Sequence, residues 1–415
     1  MVTLGSRGDV EPFIALGLGL RGAGHEVSVA TGVDFEPAVR ALGLGFIPVG
    51  GDMQAAISGE EGRRMLRTKN PVAFVRRLRR TAEPIIRTMQ EDIRAAVQGA
   101  DACVFSYLCG PVLDVHEATG LPCCMGVLQP MLATGEFPHP SLPIRTLGRT
   151  LNRLSFELFS LAMFAFFGGL AVRWRRERFH LPPPPRFRRI EKLGLPVLGA
   201  FSPAVIPRPA DWPEQARVTG YWFMPPSDYQ PSDELREFLT RGPAPVLVSF
   251  GSMVDEDPAG LAAMVEQALE LADQRAVLVG GWSGLRSSSP RHFCVDAIPY
   301  DWLLPRVAAA VHHGGAGTTA AVLRAGVPSV AVPFGTDQPY WARIVHRLGA
   351  GPPPIPRSRL TPDRLARAIT AAVTDDSIRA RAAALGRAIR AEDGVKAAVD
   401  EVTAFLGGKG LSKIS

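Results

Sequence analysis

Twice in this chain a short apolar run ends in a glycine–serine turn that opens a helical pattern. The first is Val2-Thr3-Leu4-Gly5-Ser6 and the second Val248-Ser249-Phe250-Gly251-Ser252. Runs of this length flanked by glycine read as strands, and glycine lets the chain turn without the steric cost of a β-carbon. Each is the opening step of a strand–turn–helix unit, so two copies predict two doubly wound units in tandem. A length of 415 residues accommodates this, since domains commonly run to about 100–200 residues.

The rest of the chain keeps the same alternation. Strands are expected at Glu26–Ala30, Gly45–Val49, Ala102–Phe105, Cys123–Val127, Val246–Phe250, Ala276–Val279, Ala308–His312 and Ser329–Val332. Helical patterns lie between them, at Phe13–Arg21, Phe35–Leu42, Pro258–Ala272, Thr318–Ala325, Trp341–Leu348 and Pro362–Thr374. Such alternation predicts an α/β fold with parallel sheets covered on both faces. The first strand, only three or four residues, is short, which leaves open a start further upstream. Leu181-Pro182-Pro183-Pro184-Pro185 and the proline-dotted stretch from Pro203 to Pro245 can continue neither helix nor central strand, so the linker is expected near residues 205–240. The units are then residues 1–210 and 211–389. The final helical stretch, Lys396–Leu406, carries Val399, Val402 and Leu406 at helical spacing, and the tail of about residues 390–415 is expected to dock back on the first unit.

Composition narrows the function. With 46% hydrophobic and 21% charged residues, wholesale disorder is excluded. The 42 glycines and 37 prolines have no G-X-Y period, so they belong in turns and loops. The net charge is +6, and the basic residues are almost all arginine, which suits a GC-rich bacterial genome better than a nucleic-acid partner. Five cysteines without metal-ligand spacing read as reduced thiols. Arg7, Asp9 and Glu11 precede any apolar run, so no secretory leader is recognised and a cytoplasmic location is expected. From Leu154 to Val172 the chain is apolar except for Glu157 and two serines, and Arg173, Arg175, Arg176 and Arg178 follow it. About 18–20 such residues could span a bilayer. Glu157 and Gly168-Gly169 interrupt the run, so a buried helix or the wall of an apolar pocket is expected, with peripheral membrane contact left open. The arginine pairs Arg76-Arg77 and Arg79-Arg80 read as the solvated face of a charged helix.

The densest constellation is VHHGGAGTTAAVLRAGVPSVAVPFGTDQ, Val311 to Gln338. An apolar strand ends at His312-His313, a Gly-Gly-Ala-Gly turn follows, and Thr318-Thr319 lie at the helix start. Unpaired N–H groups at such a helix start can hold a phosphate. Read alone, the turn is equally an ordinary connection with Thr318 as N-cap. Asp337-Gln338 stand beyond another strand end, where a carboxylate and an amide suit sugar hydroxyls, although Asp337 could also simply cap the next helix.

Taken together, VHHGGAGTT, VPFGTDQPYWA, VSFGSM and GSRGDVEP, which occur in the family order along essentially the whole chain, resemble the glycosyltransferases of the GT-B fold. The resemblance is to family 1 of the UDP-glycosyltransferase superfamily, in its sterol and polyketide/glycopeptide branch. It implies two facing Rossmann-like domains, with the acceptor on the first and the nucleotide sugar on the second. It also implies that His313 contacts the donor diphosphate, that Gly314, Gly315 and Thr318 form the phosphate turn, and that Ser252 approaches the same diphosphate. Asp337 and Gln338 would hold the sugar, and Val295 to Ile298 with Trp302 would line the base. His312 has the weaker claim by register. Many relatives carry a histidine in the first loop; here the aspartate form stands, which implies Asp9 as general base with Ser6 beside it, unless Asp9 merely caps the helix starting near Glu11.

The expected reaction is inverting transfer of a hexose, glucose favoured, from a nucleoside-diphosphate sugar to a hydroxyl of a lipophilic acceptor such as a sterol, polyketide or phenolic natural product. No metal or other cofactor is required in this scheme, because a helix dipole, His313 and Thr318 would stabilise the leaving group. Met131, Phe137, Phe159, Met163 and Phe167 are the expected acceptor contacts. The alternatives are a dTDP-deoxysugar tailoring transferase, a nucleotide-sugar 2-epimerase, and a non-catalytic GT-B auxiliary protein.

Overall fold

The computed structural model describes residues 1–50, 71–142, 144, 146–185, 189–251, 253, 255–281 and 284–408, with residues 71–81 and 408 by their backbone alone. The first sheet contains β1 (Ser28–Thr31), β2 (Gly45–Pro48), β3 (Cys103–Ser106), β4 (Cys123–Val127), β5 (Val197–Gly199) and β6 (Ala216–Val218). β1 pairs with β2, and β3 to β6 pair in sequence, all parallel. The opening segment joins the two parts: Val2 bridges Ala30 and Phe105, its N–H donating to Val104 O at 2.9 Å. The lateral order is therefore β2-β1-opening segment-β3-β4-β5-β6, and it reverses direction between the opening segment and β3. Ligands of such sheets bind outside the carboxyl ends of the strands at that reversal.

Alternation along the strands divides the core into two faces. Phe105, Cys123 and Met125 face helices 71–96, 111–119 and 149–179, against Ile93, Val112 and Trp174. Val104, Cys124 and Leu198 face the opposite way, against Phe13 and Leu16 of helix Arg7–Gly22 and Ala398 and Val402 of helix Gly394–Gly408. These two helices pack so closely that a β-carbon on Gly19 would lie 2.6 Å from Val395 Cγ1, which explains glycine there.

The second sheet contains β7 (Val246–Ser249), β8 (Ala276–Val279), β9 (His292–Val295), β10 (Ala309–His312) and β11 (Ser329–Ala331). Its order is β11-β10-β7-β8-β9, all parallel, with the reversal between β7 and β10. Helices Pro258–Leu271 and Pro362–Thr374 cover one face through Leu261, Val265, Leu365 and Ile369. Helix Ala316–Ala325 covers the other through Val322.

Three expectations need correction. The first sheet runs past residue 210, because β6 adds to its edge; a three-residue strand between prolines leaves no clear periodic signal. The connection without helix or strand narrows to residues 219–232, since helix Asp233–Thr240 packs into the second half through Leu235. The apolar stretch 154–172 is not a buried helix. It lies within one helix, Arg149–Phe179, that continues through Gly168-Gly169, and Leu151, Leu154, Leu158, Leu161 and Met163 are exposed along it. The helix is held at its ends instead: Asn152, Ser155 and Phe156 are buried near the start, and Trp174 and Arg175 near the finish.

Candidate active site

Helix Arg7–Gly22 begins earlier than its apolar pattern suggests, because Ser6 and Asp9 form a capping box. The Ser6 N–H donates to Asp9 Oδ2 at 2.7 Å and the Ser6 hydroxyl donates to the same oxygen at 2.8 Å. Asp9 thus does cap its helix, as one of the two readings held, yet only through Oδ2. Gly5, at φ 128°, makes room for it, since a β-carbon there would lie 2.5 Å from Oδ2. Burial raises the Asp9 pKa above its usual 3.8; the two Ser6 hydrogen bonds oppose this, and the Asp337 carboxylate adds to it.

The second half builds a matching feature at β10. His312 is fully buried, accepts from the Gly314 N–H on Nδ1 at 3.1 Å, and so donates from Nε2 to Ser329 Oγ at 2.6 Å. It fixes the turn and is spoken for, as its weaker claim anticipated. His313 is also buried, but its Nδ1 has no hydrogen-bond partner among the described residues. Its ring lies between two glycines: a β-carbon on Gly251 would come within 2.9 Å and one on Gly315 within 2.4 Å. Burial pushes the His313 pKa down to about 4, so the ring is neutral near pH 7.

Gly315, not Thr318, is the N-cap of helix Ala316–Ala325, and it supplies no capping side chain. The first-turn N–H groups, at the positive end of the helix dipole, therefore lack side-chain capping. Thr318 lies near Tyr300, whose hydroxyl donates to Ser249 Oγ at 2.8 Å. Tyr300 was not among the expected site residues. It lies between the Val295–Ile298 loop and Trp302, and its long polar tip could have marked it.

The remaining expected residues divide. Asp337 is the N-cap of helix Gln338–Arg347, but its carboxylate accepts from Trp341 Nε1 at 3.1 Å and from Thr336 Oγ1 at 3.0 Å instead of capping backbone. Thr336 has φ 55°, a strained value for a β-branched residue at a strand-end turn. Gln338 faces inward: its Oε1 accepts from Phe334 N at 2.7 Å and its Nε2 donates to Met253 Sδ at 3.1 Å. It holds the turn that carries Asp337. Val295 ends β9 and Ile298 is buried, whereas Trp302 packs between Tyr229 and the Arg306 guanidinium. Ser252 lies outside the described residues.

Of the expected acceptor contacts, Phe137 and Phe159 join one aromatic group. Phe159 stacks on buried His139 at 3.8 Å, His139 abuts Phe156, and Phe137 reaches Tyr340 of the second half at 6.0 Å. Met131 packs on the first core. Met163 is exposed and Phe167 lies beside Phe166, so these two stand apart from that group.

The two helix starts meet. Gly8 Cα lies 3.5 Å from where a side chain on Gly317 would begin, which brings the amino ends of helices Arg7–Gly22 and Ala316–Ala325 together across the cleft. Arg7 influences Tyr300 electrostatically from the other half, and Asp337 influences Asp9. A carboxylate on one side and uncapped N–H groups beside a neutral histidine on the other can flank a reacting centre, one taking a proton and the other receiving an anion.

Both halves of the chain are similar to known protein families. Residues 1–138 match the glycosyltransferase family 28 N-terminal domain, and residues 282–404 match the erythromycin biosynthesis protein CIII-like C-terminal domain. The chain is 33% identical to a sterol 3-beta-glucosyltransferase of Candida albicans over 98% of its own length, but spans only 27% of that protein. It is 33% identical to a sterol 3-beta-glucosyltransferase of Arabidopsis thaliana, covering 96% of this chain and 64% of the relative. The glycotransferase of kitacinnamycin shares the fold with a TM-score of 0.72 at 22% identity, over 98% of each chain. The glycosyltransferase VinC, solved with dTDP, does so with 0.68 at 22% identity over 99% of each. With two reversed parallel sheets facing across a cleft and glycosyltransferase family matches on both halves, this chain belongs to the glycosyltransferases of the GT-B fold.

Proposed function

We propose that this protein transfers a hexose, with inversion, from a nucleoside-diphosphate sugar to a hydroxyl of a lipophilic acceptor. The observation that carries the reading is the meeting of the two helix starts, with Asp9 at one and His313 at the other. The diphosphate lies against Gly314, Gly315 and the first turn of helix Ala316–Ala325, with His313 and Thr318 as further donors. Asp9 Oδ1, which receives no hydrogen bond among the described residues, takes the acceptor proton as the acceptor oxygen attacks the anomeric carbon. The diphosphate leaves on the opposite side, its growing charge met by the dipole and donors without a metal ion. Asp337 holds sugar hydroxyls and Gln338 supports it from behind.

UDP-glucose and a sterol or polyketide acceptor are the first choice, supported by the sterol glucosyltransferase relatives. The experiment is calorimetric titration with UDP and with dTDP, followed by incubation of UDP-glucose and dTDP-sugars with sterols, macrolides and phenolics, reading product mass. Glucosylated sterol supports the reading; a deoxysugar product from a dTDP donor reassigns the donor. Failure to bind either nucleotide refutes it in favour of an auxiliary protein.

A further inference from the structure

Helix Arg149–Phe179 carries more exposed apolar surface than any folding role explains. Leu151, Leu154, Leu158 and Leu161 follow one another at spacings of three or four, so they form one stripe about 15 Å long. Leu161, Ala162, Met163 and Ala165 are all exposed, so the apolar surface widens beyond the stripe's end. Ile144 and Leu147, just before the helix, are exposed too. Among the described residues this is the one helix long and apolar enough to cross a membrane, yet both its ends are tied into the fold. Trp174 donates to Glu91 at 2.9 Å, and Arg175 joins a buried network with Asp114, Glu117 and Arg189. A helix fixed in this way lies along a surface and does not pass through it.

Charge indicates which surface. Arg149 and Arg153 stand at one end of the exposed stretch and Arg173 and Arg176 at the other, all exposed. Arg149 and Arg176 have no carboxylate partner among the described residues; Arg153 pairs with Asp211 at 3.3 Å and Arg173 with Glu83 at 3.7 Å. Between Arg149 and Arg176 the single carboxylate is the half-buried Glu157. A second copy packed along this helix, parallel or antiparallel, would set arginines at both ends against arginines, with Glu177 the one exposed acid on the helix to answer them. An anionic lipid surface answers both features, with leucines entering the acyl boundary and arginines meeting phosphates.

We infer that the exposed face of helix Arg149–Phe179 docks this protein on the surface of an anionic bilayer. The same helix carries Phe156 and Phe159, so docking sets the aromatic group of the cleft beside a lipid phase. The inference does not depend on the sugar-transfer reading.

The test is flotation of the full chain with phosphatidylcholine vesicles and with vesicles also containing phosphatidylglycerol, at low and high salt. Binding to the anionic vesicles is expected, about tenfold weaker on phosphatidylcholine alone and weakened by salt. Leu154→Glu/Leu158→Glu should reduce it by at least about tenfold with the thermal melt unchanged. If the double variant does not fold, Leu158→Glu alone, at a position 57% exposed, serves as the second variant. Absence of flotation at low salt overturns the inference, as does flotation that survives the glutamates. A concentration-dependent dimer dissolved by the same substitutions also overturns it and assigns the face to a second copy. No readout requires turnover, so an inactive protein that floats refutes only the proposed activity.

Discussion

Asp9→Asn separates catalysis from capping, because the two roles lead to opposite readings of one substitution. Asp9 Oδ2 receives the Ser6 N–H at 2.7 Å and the Ser6 hydroxyl at 2.8 Å. An asparagine keeps an oxygen there, and Ser6 Oγ can turn to accept from the new amide, so the cap survives. Each such bond is worth about 0.5–1.5 kcal/mol net, and a rearranged pair should change stability by about 1 kcal/mol or less. Charge favours the variant. The folded pKa of Asp9 is raised above 3.8, so the folded state holds its proton more tightly than the unfolded state. This group's contribution is therefore most favourable below the unfolded value and declines as pH rises through the folded one. At neutral pH the ionised carboxylate costs stability, which asparagine removes. A general base is worth about 10²–10⁴ in turnover, or about 3–5 kcal/mol of barrier. The expected result is a fall in kcat by at least about a hundredfold, with unchanged UDP affinity and a Tm that holds or rises. The assay is steady-state product formation beside calorimetric UDP titration and thermal melting. Unchanged kcat, or a kcat that falls only in step with Tm, refutes Asp9 as the base.

Gly315→Ala places a β-carbon 2.4 Å from His313 Nε2, so the ring must move, and UDP affinity should fall about tenfold by calorimetry while the fold persists. His313 stays neutral until pH falls toward about 4, so its contribution to UDP binding, taken as the difference from His313→Ala, should be flat from about pH 5.5 to 8; a step centred near about 6.5 would contradict the buried neutral ring. Arg175→Leu leaves buried Asp114 without one of its two arginines, and the Asp114 pKa is already raised by burial. Urea unfolding should show a loss of about 3–5 kcal/mol, with UDP binding retained after refolding.

The parts of the site that were legible in the sequence are those where backbone conformation dictates residue type. Gly5, Gly251 and Gly315 each leave space that a side chain would fill: Gly5 beside Asp9, and the other two around the His313 ring. Strand–glycine–helix steps therefore announced both reversal points. Illegible features depend on what lies opposite a residue in space. Gln338 has the composition of a sugar ligand, yet Phe334 N and Met253 claim its amide. Tyr300 belongs to the site because Ser249 and Thr318, distant in sequence, come to its hydroxyl. The Leu154–Val172 run reads as core by hydropathy, and only the placement of its helix shows that one face, from Leu154 to Met163, is left exposed. β6 is too short to have a period at all.

The meeting of two helix starts would also reconcile the modest charge of this protein with the diphosphate chemistry proposed for it. A net charge of +6 over 415 residues supplies no concentrated cationic cradle. Several arginines near the cleft are committed: Arg7 to Glu11, Arg357 to Asp255, and Arg324 to the face of Phe223. Fixed N–H groups and a dipole carry only partial charges, so they can attract a diphosphate without the desolvation cost of burying arginine. The same partial positive charges would draw a second anion toward the site, yet Asp9 is already there, at the other helix start. Its proton affinity is raised by burial and by Asp337 and lowered by Ser6, leaving a base stronger than an exposed aspartate. In the proposed reaction, anion binding and proton abstraction thus use one device, a helix amino end, turned to opposite purposes by what caps it: a carboxylate on one side and bare glycine on the other.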